Sequence, residues 1–378
     1  MLLLSLLLIS CGEKETEEEV VAEDSATEEE SQVATWEDIT PILEDYYDPS
    51  IMPALGAARI SNGELTEAGT IGLRSIDADA EVTDWDKWHL GSCTKAMTGN
   101  LVGILVDEGI LHWDATMEEL FPEIEIHPDY QDVTVKMMLS HSGGTWSSLV
   151  DHPSTWNEMV AGGDLKEIRS KVVQDVLTEA PEVTPGTQYL YSNTGYIVIG
   201  AALEKITGST WEEIMQEKIF TPLEMDSCGF GPQDVGGHLE HPWSHYNLTA
   251  IDPDSGNADN PAALGPAGTV HCNLPDWSKF IIEQLKLYRG EGTLLSQPQA
   301  EQLFEPQLQE YAMGWSIASR SWAGGDVFVH SGSNVKNLAI VWAAPELDEA
   351  YLTVTNTGSE SAYQVLDQVT GELIQLED

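Results

Sequence analysis

Positive charge is scarce in this chain: 16 Lys and Arg stand against 64 Asp and Glu, a net charge of −48 over 378 residues. So acidic a surface is repelled by phosphate backbones, which excludes nucleic acid as a partner. It fits a solvated surface more readily than a specific cation site, because whole-chain charge is a poor guide to one cleft. Cysteine is scarce too, at Cys11, Cys93, Cys228 and Cys272. None forms a Cys-x-x-Cys pair, so neither a zinc ribbon nor a dithiol redox motif is indicated. With Cys11 assigned below to a leader, an odd three remain, and no obligatory disulfide framework is expected. Absence of His-Glu-x-x-His removes the common zinc-protease motif, and absence of Gly-x-Ser-x-Gly removes the α/β-hydrolase nucleophile elbow. His238, His241 and His245 gather around Trp243, but no recognised ligand spacing completes a metal site. No metal and no cofactor are expected. No internal repeat is present.

The apolar run at residues 1–10, MLLLSLLLIS, is shorter than the roughly 20 residues a spanning helix needs. Leu8-Ile9-Ser10-Cys11 resembles the lipobox of bacterial lipoproteins, where the signal is cut before a cysteine that is then lipidated. Its n-region lacks Lys and Arg, which suggests a start further upstream. Residues 12–34 hold ten acids and one lysine and almost no large apolar residue; they cannot recover the entropy of ordering and read as a disordered, self-repelling tether. The expected organisation is a signal at 1–11, a tether at 12–34 and one catalytic domain at 35–378. Lipid on Cys11 would anchor it to a bacterial membrane, facing the periplasm or the exterior.

A short amphipathic helix is predicted over 36–47. Strand-like runs at 51–60 and 65–74 flank Ser61-Asn62-Gly63-Glu64, and Asn-Gly between such runs is a strong hairpin signal. Helical periodicity occupies 93–111, 133–139, 164–177, 195–207, 211–219 and 275–288. Strand-like runs return at 311–318, 326–330, 337–343 and 351–356, before a last amphipathic helix over 360–376. Strands at both ends with helices between predict an α+β fold. One antiparallel sheet is built from the two chain ends, with a mainly helical insert at about 93–290.

Ser-x-x-Lys occurs at Ser92–Lys95 and at Ser333–Lys336, and a chain this long carries about one by chance. After Ser92, Met97, Leu101, Ile104 and Leu105 recur at helical spacing, so Lys95 shares a face with Ser92. After Ser333 comes a strand, where residues three apart face opposite ways. Only the first pair can meet. A serine hydroxyl needs a base to become a nucleophile, and a lysine near its usual 10.4 must be desolvated to serve. A capping serine beside a surface lysine would leave the same trace. Tyr191-Ser192-Asn193 is the one Tyr-x-Asn: the phenol can relay a proton and the amide can hold lysine and substrate, although Asn193 could equally cap the next helix. His-Ser-Gly recurs at 141–143, which reads as a turn, and at 330–332, which ends a strand. There Gly332 lets a substrate lie close, and the Ser333 N–H could donate to an oxyanion.

Serine-lysine on a helix, Tyr-x-Asn, then His-Ser-Gly on a late strand, in that order, resembles the serine β-lactamase and DD-peptidase superfamily. The likeness is nearest its class C β-lactamase-like branch, which includes esterases and D-aminopeptidases. His89-Leu90-Gly91-Ser92, the 135–143 segment, Tyr191–Tyr196, 219–225 and Ala312-Met313-Gly314-Trp315 extend it over about 35–378. The resemblance implies Ser92 as the acylated nucleophile, with acid/base work shared by Lys95 and Tyr191, either of which could be the base. It implies substrate binding by Asn193, His330, Ser331, Gly332 and Ser333, with the N–H groups of Ser92 and Ser333 as the oxyanion hole. The expected substrate is a small molecule or short peptide: a D-amino-acid peptide, an ester or a β-lactam. Many β-lactamases carry Lys-Thr-Gly where this chain has His330-Ser331-Gly332, which favours peptides or esters over β-lactams. No class A deacylating Glu motif is visible, leaving Tyr191 and Lys95 to steer the water. A non-catalytic penicillin-binding sensor, or a structural surface lipoprotein of the same fold, is the competing reading. Oligomeric state is left open.

Overall fold

Unbroken burial along the second strand explains the architecture. In this computed structural model, which describes residues 35–376, the segment Ala54–Ser61 is buried on both faces. Leu55 and Ala57 point to one core, and Ala54, Ala58 and Ile60 to the other, the two-residue period of a strand. It lies inside a seven-stranded sheet made of β1 (Glu37–Asp38), β2 (Ala54–Ser61), β3 (Glu64–Gly72), β4 (Ser316–Arg320), β5 (Gly325–Ser333), β6 (Leu338–Ala344) and β7 (Glu349–Thr355), in the order β1-β3-β2-β7-β6-β5-β4. All neighbours are antiparallel except β1 with β3. The two chain ends therefore meet at the β2–β7 pairing, as expected. Asn62 and Gly63 turn the β2–β3 hairpin with φ of 53° and 75°, the left-handed pair that such a turn demands.

The last helix, Glu360–Leu373, packs Val365, Leu366 and Val369 on one face of the sheet with Leu55 and Ile340. The larger core lies on the other face and contains the helices α1 (Thr94–Asp107), α2 (Leu165–Thr178), α3 (Asn193–Thr207) and α4 (Leu274–Tyr288). The first region differs from expectation. Residues 36–47 hold the two-residue β1 and a single turn of helix, Thr40–Leu43, because Glu37 and Asp38 pair along β3. The strand that ends in His-Ser-Gly runs on to Ser333, pairing with Leu338. The signal at 1–11 and the tether at 12–34 fall outside the described residues.

One expectation is corrected. Cys228 and Cys272 form a disulfide across a 44-residue separation. The short strands Gly229–Phe230 and Val270–Cys272 pair with Gly229 opposite His271, and one step further sets the two cysteines side by side. Strands this short leave no periodic trace, so the cysteine count alone misled. Cys93 remains a buried free thiol, its pKa pushed up to about 12 by burial. Reduction, or Cys228→Ser with Cys272→Ser, should destabilise the fold by up to about 4 kcal/mol from loop closure alone and so lower the thermal midpoint; thermal unfolding with and without reductant checks it.

Candidate active site

Ser92 sits in a tight turn, Gly91–Cys93, that leads directly into α1. Residues 94–105 of α1 are buried throughout, the mark of a helix enclosed on all sides. Its small residues permit that: a Cβ on Gly99 would stand 2.2 Å from Met313 O, and Gly314, at φ 102°, presses its backbone on Ala96. Lys95 is thereby fully buried while Ser92 is partly exposed. The Lys95 Nζ donates to Ser92 Oγ at 3.0 Å, to Asn193 Oδ1 at 2.8 Å and to the Ala267 carbonyl at 2.7 Å. Burial pulls its pKa down to about 7.

Asn193 is free for that contact because Ser192 caps α3, accepting from the N–H groups of Thr194 and Gly195. The capping alternative for Asn193 is thus displaced by its neighbour. Tyr191 lies with its ring centroid 5.0 Å from Lys95 Nζ. Burial raises its pKa, and a hydrogen bond with Ser92 partly offsets the rise.

The second His-Ser-Gly forms the opposite wall. His330 is buried; its Nδ1 donates to Ser331 O at 2.8 Å, so its Nε2 accepts from the Tyr311 hydroxyl at 2.9 Å. Burial, then the Lys95 charge, push its pKa down to about 3, leaving it neutral. Ser331 is exposed and lines, with Tyr189, Tyr191, Tyr311 and His330, a cavity of about 330 Å³. Gly332 packs on the nucleophile turn: a Cβ there would lie 2.0 Å from Leu90 O and 2.6 Å from Ser92 N. Across the seam, Gly91 at φ 50° would place its Cβ 2.4 Å from Ser333 N. The backbone nitrogens of Ser92 and Ser333 are thereby held beside one glycine-to-glycine contact. The Ser333 side chain is occupied, donating to Asn337 O and accepting from Val335 N, so the second Ser-x-x-Lys is not a pair.

Four contributors were not legible beforehand. His141, the turn histidine of the first His-Ser-Gly, has φ 57° and its ring 4.2 Å from that of Tyr191; its Nδ1 accepts the Ser192 N–H at 3.1 Å. Tyr311 holds His330, and Tyr196, whose hydroxyl donates to Leu139 O, lies 5.4 Å from Lys95 Nζ. Ala267 contributes a carbonyl, for which sequence has no signal. Among the described residues no three His, Cys, Asp or Glu converge on a metal position; His245 spends both ring nitrogens on backbone groups of Ile76 and Asn356.

The sheet with its helical insert and the serine-lysine-tyrosine cluster define a class, penicillin-binding proteins and serine β-lactamases. The chain belongs to the Beta-lactamase family, whose pattern matches residues 43–372, and this supports a serine-hydrolase type of function. Penicillin-binding protein 4 of Amycolatopsis lactamdurans is 22% identical over 340 residues, covering 85% of this chain and 86% of that protein. Protein flp of Staphylococcus aureus is 20% identical over 343 residues, 89% of this chain but 66% of that protein's length. The octameric penicillin-binding protein homologue from Pyrococcus abyssi superposes with a TM-score of 0.72 at 22% identity, covering 88% of this chain and 76% of that one. SurE bound to D-Leu gives 0.67 at 17% identity, with 88% and 74% covered.

Gly332→Ala should separate the seam. The expected outcome is a loss of about 1–3 kcal/mol from overpacking together with slowed labelling of Ser92 by a fluorophosphonate; thermal unfolding and labelling rate read the two effects.

Proposed function

We propose that this protein is a serine hydrolase that cleaves amide or ester bonds of small molecules or short peptides through an acyl-enzyme on Ser92. The 3.0 Å contact between buried Lys95 Nζ and Ser92 Oγ carries the reading. Ser92 Oγ attacks the substrate carbonyl and its proton passes to Lys95. Of the two possible bases, Lys95 is favoured: burial lowers the lysine towards neutrality and raises the Tyr191 phenol away from ionisation. Tyr191, beside Ser92 and Lys95, then gives its proton to the leaving group and takes in its place the one that Lys95 received from Ser92, so that the phenol ends protonated and the amine free. The backbone N–H groups of Ser92 and Ser333 receive the oxyanion, worth several kcal/mol in such sites, about 2.7–4 per donor. Asn193 holds Lys95 and orients the substrate. Water, activated by the same lysine-tyrosine pair, releases the acyl group.

His330, neutral and tied to Tyr311, supports a preference for D-amino-acid peptides or simple esters over β-lactams, as does the D-Leu bound by the similar SurE. The class C-like branch is proposed on the same motifs. The lipobox-like Leu8-Ile9-Ser10-Cys11 supports a lipid anchor on Cys11 at the outward side of a bacterial membrane, with residues 12–34 as tether.

Comparing kcat/KM for a p-nitrophenyl ester, a D-Ala-D-Ala peptide and a cephalosporin tests the preference; a dominant cephalosporin rate sinks it. Ser92→Ala should abolish fluorophosphonate labelling and turnover. Lys95 faces Cys93, Tyr191, Tyr196, His141 and His330, none of them anionic near neutrality. Because the unprotonated amine is the active form, kcat/KM should rise with pH through about 7 and level off above it. Lys95→Arg keeps a permanent cation there, and should cost about 10²–10⁴ in acylation rate at every pH from 5 to 9.

A further inference from the structure

The end of β5 that runs past its pairing with β4, residues 330–333, passes the nucleophile turn and leads into a second cavity, of about 450 Å³, that the proposed chemistry does not use. Its walls include Trp156, Val160, Tyr246, Val335, Asp259 and Lys336. Three of these are large apolar side chains left open to solvent: Val160 at 54%, Tyr246 at 50% and Val335 at 60% exposure. Their convergence on one concavity is unlike the single scattered apolar residues of an ordinary surface. Val335 also has φ 72°, a conformation that a β-branched residue adopts only under constraint.

The charges at this cavity are unequal in availability. Asp259 is 4% exposed, and its Oδ1 accepts from Asn334 Nδ2 and from the Asn260 N–H while lying 2.8 Å from His89 Nε2. Lys336 is half-buried, and its ammonium makes no ion pair or hydrogen bond among the described residues. In a chain of net charge −48, a lysine with no contact partner in a cavity of mixed lining is unusual, the already bonded Asp259 acting on it only at a distance. The cavity is also coupled to the nucleophile. His89, facing Asp259, accepts the Gly91 N–H on its Nδ1 at 3.1 Å, and Asn334 follows Ser333 directly.

We propose that this cavity is a substrate subsite for an arm that joins an apolar group to a carboxylate, with Val160, Tyr246 and Val335 taking the apolar part and Lys336 the anion. The proposal builds on the serine-hydrolase reading, since it names which molecules reach Ser92, but its binding test does not require acylation. It assigns direction to the cleft: the tyrosine-lined end, with neutral His330, carries no charge, and the Lys336 end selects one. Substrates with a free carboxylate beside an apolar substituent are therefore preferred over their amides.

Calorimetric titration with 4-phenylbutyrate and with 4-phenylbutyramide tests this on wild type, Ser92→Ala, Lys336→Gln and Lys336→Arg. Wild type and Ser92→Ala should bind the acid about tenfold more tightly than the amide, the strength of one charge-assisted contact. The ratio should fall to about one in Lys336→Gln and return in Lys336→Arg, and Val160→Ser should weaken both probes alike. The wild-type ratio should also shrink as salt is added, a readout that needs no variant to fold. An acid preference that survives Lys336→Gln or high salt, or no binding of either probe to wild type, overturns the subsite. Intact acid preference in a protein whose Ser92 takes no fluorophosphonate would instead overturn the hydrolase reading alone.

Discussion

A lysine amine enclosed with three oxygen acceptors, and among the described residues with no carboxylate at ion-pair distance, is the constraint around which the domain is arranged. Burial of a cation is costly, and three acceptors only partly restore what water gave it. The balance settles near neutrality, and it holds only while each acceptor stays in place. Ser92 is fixed by the turn into α1. Asn193 is available because Ser192 has taken over the capping of α3. The Ala267 carbonyl lies just before the strand Val270–Cys272, which is paired to Gly229–Phe230 and bonded to Cys228. The disulfide therefore bears on the Lys95–Ala267 contact from some distance along the chain.

Around that amine the protein has placed rings that do not ionise near pH 7. His141 and His330 are held neutral, by burial first and by the Lys95 charge second, while burial raises Tyr191, Tyr196 and Tyr311. Most polar tips that the rings bury have a partner, Leu139 O for Tyr196, His330 for Tyr311 and the Ser192 N–H for His141 Nδ1, while His141 Nε2 has none among the described residues. A carboxylate anywhere in this shell would return Lys95 to its charged form. For a chain with four acids to each base, keeping them out of this volume is a strong local departure from composition.

Period and turn chemistry made most of the frame legible. The Asn62-Gly63 hairpin, the late strands and helices α1 to α4 follow from apolar spacing, and the sheet from both chain ends follows from their order. Ser92, Lys95, Tyr191, Asn193 and the β5 residues stood out through motif order and are brought to one cleft. Features that depend on three-dimensional adjacency left no trace. Cys228 and Cys272 meet through strands of two and three residues. His141 looked like turn punctuation, which its positive φ confirms, yet its ring reaches Tyr191. A backbone acceptor such as Ala267 is invisible to any reading of side chains.

The contact between Gly91 and Gly332 bears on how such an enzyme can be altered. At that seam two backbones touch with no space for even a methyl group on either side, so a side chain added there acts by parting the two segments and not by lining the cleft. On the proposed function, tuning of what is accepted is left to the two cavities, one walled by tyrosines and the other lined in part by Val160, Tyr246 and Lys336. The reaction centre is then a fixed gauge and the ends are its interchangeable jaws. On that reading, new selectivities can be sought there without disturbing the setting of Lys95.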